Sequence, residues 1–365
     1  MAHTDVTEAD HTPTEHYEER NETGKPSKDM SASMAHIQIR KSSAEKHGWD
    51  EPVPGSAPAV SFGHNLERNQ ESKMAGFPAG VVNIVNGCGA EAGSAITAHS
   101  GIDKIAFTGS TITGKTIMKK ASETLKRVTL ETGGKSPLIV FDDADFEQAV
   151  KWSHCGIMGL GNMGQICTAT SRIFVQDTIY EKFLEAFHEQ VKSSTVIGDP
   201  FDENTTHGPQ VSKAQYEKIL SLIESGKSEG AGLLTGGARS GDKGFCIQPT
   251  VFRDVKPNMK IVREEIFGPC VVIAPFSTEA DAIERANDTE YGLGAAIFTE
   301  NLRKAHRVAA GVQVGTVWID SSQDTHWGVP FGGYKKSGIG RELGSYALSA
   351  YTQVKAVHAT SQLYG

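Results

Sequence analysis

KIAFTGSTITGKTIMKKASETLKRVTLETGG, residues 104–134, decides the fold. "KIAFTGS" (104–110) reads as a strand running into a turn, "TGKTIMKKASETL" (113–125) as a helix and "RVTLE" (127–131) as a second strand. A strand, a helix and a strand at this spacing form a βαβ unit, and such crossovers build parallel sheets. The pattern continues outward. "LIVFDD" (138–143) is a further strand on the C-terminal side. "VVNIV" (81–85) and "EAGSAITAH" (91–99) add a strand and a helix on the N-terminal side. Beyond these, strands are predicted at 172–176, 271–276, 294–298, 315–319 and 352–358. Helix 180–193 carries Phe183, Leu184, Phe187 and Val191 on one face, and helix 213–225 carries Tyr216, Ile219, Leu220 and Ile223. Ser212 with Gln215 forms a capping box for the latter and Gly226 its stop. Ser277 and Thr278 precede helix 279–287 as candidate caps. The apolar stripes read as core, and the fold class is α/β.

Residues 1–74 have a different texture. They are polar and acidic, without apolar periodicity, and "PVPGSAPAV" (52–60) reads as a linker. Such a segment cannot bury enough apolar surface to offset chain entropy, so it is predicted to be a disordered acidic tail. The whole chain of 365 residues balances 36 Lys and Arg against 44 Asp and Glu, a net charge of −8. That argues against a broad nucleic-acid surface. No apolar run reaches the roughly 18 residues of a membrane span, and residues 1–35 lack the apolar core of a signal peptide. The five cysteines, Cys88, Cys155, Cys167, Cys246 and Cys270, are widely spaced with no CxxC. They suggest neither a disulfide framework nor a metal site, and point to a reducing, cytoplasmic location. Cys270 precedes the apolar run "VVIAPF" and reads as core.

Three glycine-rich turns carry candidate chemistry. "FTGSTITGKT" (107–116) follows a strand and opens a helix, which aims backbone N–H groups at an anion. Gly109 to Thr116 also match the phosphate-cradling pattern G-x-x-x-x-G-K-[ST], with Asp142 of "LIVFDD" as a possible Mg²⁺ ligand, so a P-loop NTPase is a rival reading. In "LETGGKSP" (130–137), Glu131 ends a strand, where open α/β sheets place ligand chemistry, and Gly133 and Gly134 let the backbone turn sharply. In "GLGNMGQICTATSR" (159–172), Cys167 sits among Gly, Asn, Gln and Thr rather than apolar neighbours. Backbone amides there could lower the thiol pKa and stabilise an oxyanion, which makes Cys167 a candidate nucleophile.

"FTGSTITGK", "LETGGKSP", "NMGQICTATSR", "EEIFGP" (264–269) and "PFGGYKKSGIGRELG" (330–344) occur in this order. Together they resemble the aldehyde dehydrogenase superfamily over about residues 75–358, with fungal-type members the nearest likeness. The resemblance implies an aldehyde-dehydrogenase-like α/β fold. It comprises a truncated parallel dinucleotide-binding sheet (75–133), an α/β catalytic domain (134–333), and a C-terminal return with an oligomerisation strand (334–365). It makes Cys167 the nucleophile and Glu131 the base that activates the deacylating water. Gly109 and Ser110 fall at the turn near the pyrophosphate of NAD or NADP, Glu265 and Phe267 at the nicotinamide ribose and ring, and Glu342 at a supporting carboxylate. The implied reaction oxidises an aldehyde to a carboxylic acid in a homo-oligomer, a dimer or tetramer, and the match to the P-loop pattern becomes coincidence.

The chain departs from the family pattern in three places. Members carry early strands of the cofactor sheet upstream of "AGFPAGVVNIVNG" (75–87), with a PWN motif whose asparagine is the second oxyanion donor and a lysine for the adenosine ribose. Residues 1–74 contain no equivalent. One such donor is worth ~10²–10³ in rate, so a catalytically impaired member acting through oligomerisation is an alternative. "IMGLGNMGQIC" (157–167) is two residues longer than the pattern, which could displace Cys167. Asp320 stands where Asn is usual and could place a charge near the substrate tunnel.

Overall fold

The structure, a computed structural model, describes residues 76, 78, 80–85, 87–159 and 161–359. The predicted tail and linker, up to residue 74, lie outside that range. Two sheets organise the described chain. In the smaller, β1 (Lys104–Thr108) runs parallel to β2 (Arg127–Glu131), and the two-residue β10 (Gly338–Ile339) pairs antiparallel with the end of β2. The larger has seven strands in the order β5-β6-β7-β4-β3-β8-β9. These are β3 (Pro137–Val140), β4 (Arg172–Gln176), β5 (Gly232–Thr235), β6 (Thr250–Arg253), β7 (Cys270–Phe276), β8 (Gly294–Phe298) and β9 (Thr316–Ile319). All neighbours are parallel except β5 and β6.

Nine α-helices are described: α1 (Ser94–Ala98), α2 (Thr111–Ala121), α3 (Phe146–His154), α4 (Tyr180–Ser194), α5 (Lys213–Ser228), α6 (Lys260–Arg263), α7 (Glu279–Asn287), α8 (Leu302–Gly311) and α9 (Tyr346–Tyr351). Side-chain oxygens start most of the longer ones. Ser110, Asp145, Ser212, Thr278 and Asn301 each accept from the amide three residues on. Such caps are worth ~1 kcal/mol each.

The large sheet is covered on both faces, so β3, β7 and β8 are apolar throughout, as a parallel sheet favours. On β3, Leu138 and Val140 face a cluster with Ile173, Val175, Phe183 and Phe187. Ile139 and Phe141 face the opposite cluster with Phe174, Ile297, Ala286 and Val308. The stripe predicted on α4 is this core: Phe183 and Phe187 are fully buried and Leu184 and Val191 nearly so.

Several expectations are corrected. Residues 81–85 form no strand. Val81 and Val85 are exposed, because among the described residues no strand lies beside them to complete a ladder. Residues 352–358 likewise form no strand, with Val354 and Val357 exposed. Gly226 does not stop its helix. It is buried within α5, where a Cβ would come within 2.8 Å of Ile261 and 3.1 Å of Phe252, so it is a packing glycine. The turn of positive φ falls instead at Gly230. The capping box is half formed: Ser212 caps, while the Gln215 amide donates to the carbonyls of Ile266 and Phe267 at 3.0 Å each.

Candidate functional site

Glu131 is the last residue of β2 and pairs with Thr108 of β1 on one side and Gly338 of β10 on the other. The turn that follows is stitched from two directions. The Thr132 amide donates to the Ser337 carbonyl (2.9 Å), and the Ser337 hydroxyl donates to the Gly133 carbonyl (2.6 Å) while accepting from the Gly292 amide (2.9 Å). The Gly134 amide donates to Glu265 Oε1 at 2.9 Å. Neither Gly133 nor Gly134 has positive φ. They are glycine because of what lies against them: a Cβ on Gly133 would be 2.2 Å from Glu265 Oε2, and one on Gly134 2.3 Å from the Cys167 carbonyl oxygen. Two bare Cα atoms thus let the Glu265 carboxylate and the Cys167 main chain approach one turn.

The cysteine loop starts from a π-helix, Cys155–Gly159, that extends α3. A π turn accommodates an additional residue within a helix. The loop then passes through a bend where Gly161, Met163 and Gly164 all have positive φ. Gly164 packs so closely on the Gly268 carbonyl that a Cβ would sit 2.1 Å from it. After the cysteine, Gln323 clamps the chain: its amide donates to the Thr168 carbonyl (3.0 Å), and its oxygen accepts from the Thr168 hydroxyl. The Gln165 side chain accepts from the Val211 amide (2.8 Å).

Electrostatics reverse one expectation. The polar loop does not lower the Cys167 pKa. Burial, then the charges of Glu131 and Glu265, push it up to about 12, and hydrogen bonds from the amides of Cys167 and Thr168 offset this only in part. Glu131 is itself pushed up to about 7, by burial first and by Glu342 second, against a hydrogen bond from Thr108 (3.4 Å). Burial also raises Glu265. The resting site therefore pairs a protonated thiol with a carboxylate that gains and loses its proton near neutrality, where a general base works best. Glu342 is fixed by the Thr129 hydroxyl (2.8 Å), by the Tyr351 hydroxyl (3.2 Å to each oxygen) and by Lys104 at 3.9 Å.

Beneath the site, Arg172 is buried and donates to the carbonyls of Lys135 (2.9 Å), Arg285 (3.1 Å) and Ala286 (2.9 Å). The Lys135 amine is buried without a hydrogen-bond partner, and burial lowers its pKa to about 7.

The remaining candidates fall as follows. Gly109 donates its amide to the Glu131 carbonyl (3.0 Å), and Ser110 caps α2, so this turn borders Glu131. Phe267, half-buried, has φ +60, a conformation costly for a side chain and concentrated at functional sites. The P-loop reading is overturned. Gly109 follows a strand of the small sheet and Asp142 a strand of the large one, while Lys115 and Thr116 are exposed. Asp320 caps the Thr299 amide (3.1 Å) rather than standing free. Gln323 and Ser337 went unnoticed in the sequence, and Gln215 was read only as a capping partner of Ser212. Each is a polar residue defined only by distant contacts. Among the described residues, no helix is long and apolar enough to cross a membrane.

A family model for the aldehyde dehydrogenase family matches residues 69–357. An aldehyde dehydrogenase of Emericella nidulans is 53% identical over 287 residues, 78% of this chain and 57% of its own length. Human retinaldehyde dehydrogenase 3 is 53% identical over 286 residues, 78% of this chain and 55% of its own. Among solved structures, the NAD+ complex of a Bacillus cereus aldehyde dehydrogenase superimposes with a TM-score of 0.78 at 49% identity, covering 82% of this chain and 60% of the other. The chain thus spans somewhat over half the length of these relatives.

Proposed function

The chain belongs to the aldehyde dehydrogenase family, and from that premise we propose that it oxidises an aldehyde to a carboxylic acid with NAD or NADP through a thioester on Cys167. The observation that carries the reading is the convergence of Cys167, Glu131 and Glu265 on the Gly133–Gly134 turn. Glu131, poised at about 7, takes the thiol proton, and the sulfur attacks the aldehyde carbonyl. The amides of Cys167 and Thr168, which face the sulfur, lie where the developing oxyanion needs donors. With the thiol proton released to solvent and the hydride given up to the bound cofactor, the Glu131 carboxylate would remove a proton from water as it attacks the thioester; the C–S bond breaks, the acid leaves and the cysteine is restored.

The residues fit a dinucleotide at the edge nearest Glu131. Gly109 and Ser110 open α2, whose N-terminus favours pyrophosphate, and Glu265 offers a carboxylate held by the Gly134 amide for ribose hydroxyls. Phe267, in its constrained backbone, lies beside it for the nicotinamide. When bound, the cofactor accepts the hydride and brings a cationic ring that favours the thiolate. Residues 75–133 with the return after 334 would form the cofactor layer and 134–333 the catalytic domain. The exposed valines of 352–359 support a homo-oligomer, a dimer or tetramer, and five unpaired cysteines support a cytoplasmic setting.

Intact-mass analysis after incubation with a reactive acyl ester tests the core of this reading without needing a cofactor. One adduct, mapped to Cys167 and lost in Cys167→Ala, is expected. No adduct, or adducts spread over the five cysteines, would refute it.

A further inference from the structure

Glu131 shares its face of the small sheet with a polar cluster. Successive side chains of a strand alternate sides, so Thr129 and Glu131 of β2 point the same way, with Lys104 and Thr108 of β1 beside them. The Lys104 amine donates to the Thr129 hydroxyl (2.8 Å), which in turn donates to Glu342 Oε1 (2.8 Å). Lys104 and Glu342 also form an ion pair at 3.9 Å, with side chains only 12% and 26% exposed.

The last residue of α9 covers this cluster. The Tyr351 hydroxyl donates to both Glu342 oxygens (3.2 Å each), and the Lys104 amine stands 3.9 Å from the centre of the Tyr351 ring. One side chain therefore touches both members of the ion pair, its hydroxyl on the anion and its π face on the cation. α9 has little else to hold it. None of its six residues is buried, and Tyr346 and Leu348 are exposed. A second tie at this end is the Arg127 guanidinium, which donates to the Thr352 carbonyl. The helix is seated by polar contacts at its C-terminal end, not by an apolar face.

Glu131 depends on this cover. The titratable groups around it are Glu342 from the C-terminal return, Cys167 from the cysteine loop, Tyr351 from α9 and Glu265 on the Gly134 amide, with Lys104 of β1 paired to Glu342. The Cys167 thiol and the Tyr351 phenol are both pushed up to about 12, by burial first, and are uncharged at neutral pH. That leaves Glu342 as the charge that, after burial, raises Glu131.

We propose that Tyr351 is a positioning residue for Glu131: it latches α9 over the Lys104–Thr129–Glu342 cluster, fixes the Glu342 carboxylate and keeps water off that face of the small sheet. The functional consequence rests on the reading of Glu131 as the base. Removing the latch wets the cluster. Burial of Glu131 weakens, and water screens the repulsion between the two carboxylates. Glu131 then loses its proton at lower pH.

The test reads Glu131 directly, by ¹³C carboxyl titration of the full chain, with Glu131→Gln to assign the resonance, so it does not depend on catalysis. The parent should titrate at about 7. In Tyr351→Ala the midpoint should fall by about one unit, toward the ordinary value for Glu. In Tyr351→Phe, which keeps the ring beside Lys104 and loses the hydroxyl, it should fall by less. Tyr346→Ala, the same truncation at the exposed start of α9, should leave it in place. An unshifted or raised midpoint in Tyr351→Ala, or an equal fall in Tyr346→Ala, would overturn the proposal; were Tyr351→Ala to unfold, an unshifted midpoint in Tyr351→Phe would do the same. The pH midpoint for hydrolysis of the Cys167 acyl adduct is followed in parallel. If the carboxyl shifts and the hydrolysis midpoint does not, the latch stands and the assignment of Glu131 as the base fails.

Discussion

Gly134→Ala perturbs the site at its tightest contact. The added Cβ would lie 2.3 Å from the Cys167 carbonyl oxygen and 3.4 Å from Leu293 Cβ. An ordinary carbon–oxygen contact is about 3.3 Å, so the two main chains must part by about 1 Å. Gly134 has no positive φ, so the substitution carries no conformational strain of its own and the whole effect is displacement. Main chain on main chain cannot be relieved by a rotamer change, and the Cys167 loop, clamped by Gln323 on one side, takes the shift. A 1 Å misplacement of a reacting group costs ~10² in rate. Overpacking costs ~1–3 kcal/mol in stability, which leaves the chain folded. The assay is the rate of Cys167 acylation by an activated ester, followed by intact mass, beside a urea unfolding curve. Gly93→Ala, which would meet nothing within 4 Å, is the control and should acylate like the parent. If Gly134→Ala acylated within threefold of the parent while remaining folded, the contact would not position the nucleophile and the reasoning would fail.

Three further outcomes are expected. Glu342→Gln removes the charge that, after burial, raises Glu131, so the Glu131 pKa falls from about 7 and the pH midpoint for hydrolysis of a Cys167 acyl adduct moves down; an unchanged or higher midpoint would contradict the coupling. Lys135→Met removes an amine whose pKa is lowered from 10.5 to about 7. The folded state disfavours its proton, a penalty that is complete below pH 7 and fades as pH rises to 10.5, so the variant's gain in unfolding free energy should be largest at low pH and shrink above neutrality. A pH-independent change would rule this out. Gln323→Ala strips both partners from Thr168 and should lower stability by ~1–3 kcal/mol in urea titration and slow acylation, whereas an unaltered acylation rate would mean the clamp is dispensable.

The β1–α2–β2 unit was legible because it is local: strand, cap and helix follow one another within 28 residues, and Ser110 is itself the cap. The α4 stripe was legible because 3.6-residue periodicity is written into Phe183, Leu184, Phe187 and Val191. Residues 81–85 and 352–358 have strand composition too, but a strand exists only with a neighbour, which no single segment encodes. β5 and β6 went unread because four residues such as "GLLT" and "TVFR" are too short to show alternation. At the site, Cys167 and Glu131 stood out through their glycine-rich settings. The direction of the thiol's pKa did not, because it is set first by burial and then by the charges of Glu131 and Glu265, distant in sequence and close only once Gly133 and Gly134 bring them together. Gln215 shows the same limit: its spacing from Ser212 suggested a cap, and its side chain went to the Ile266–Phe267 carbonyls instead.

Arg172 ties the turn carrying Lys135 to the C-terminal carbonyls of α7, more than 100 residues away in the chain. Because one guanidinium serves both, neither element can open alone without stranding a buried charge, which is far more costly than breaking a surface hydrogen bond. The smallest opening available to this turn therefore includes the end of α7. Amide hydrogens in the two places should exchange with solvent in a single cooperative event, making the floor of the site one of the last parts of the molecule to breathe.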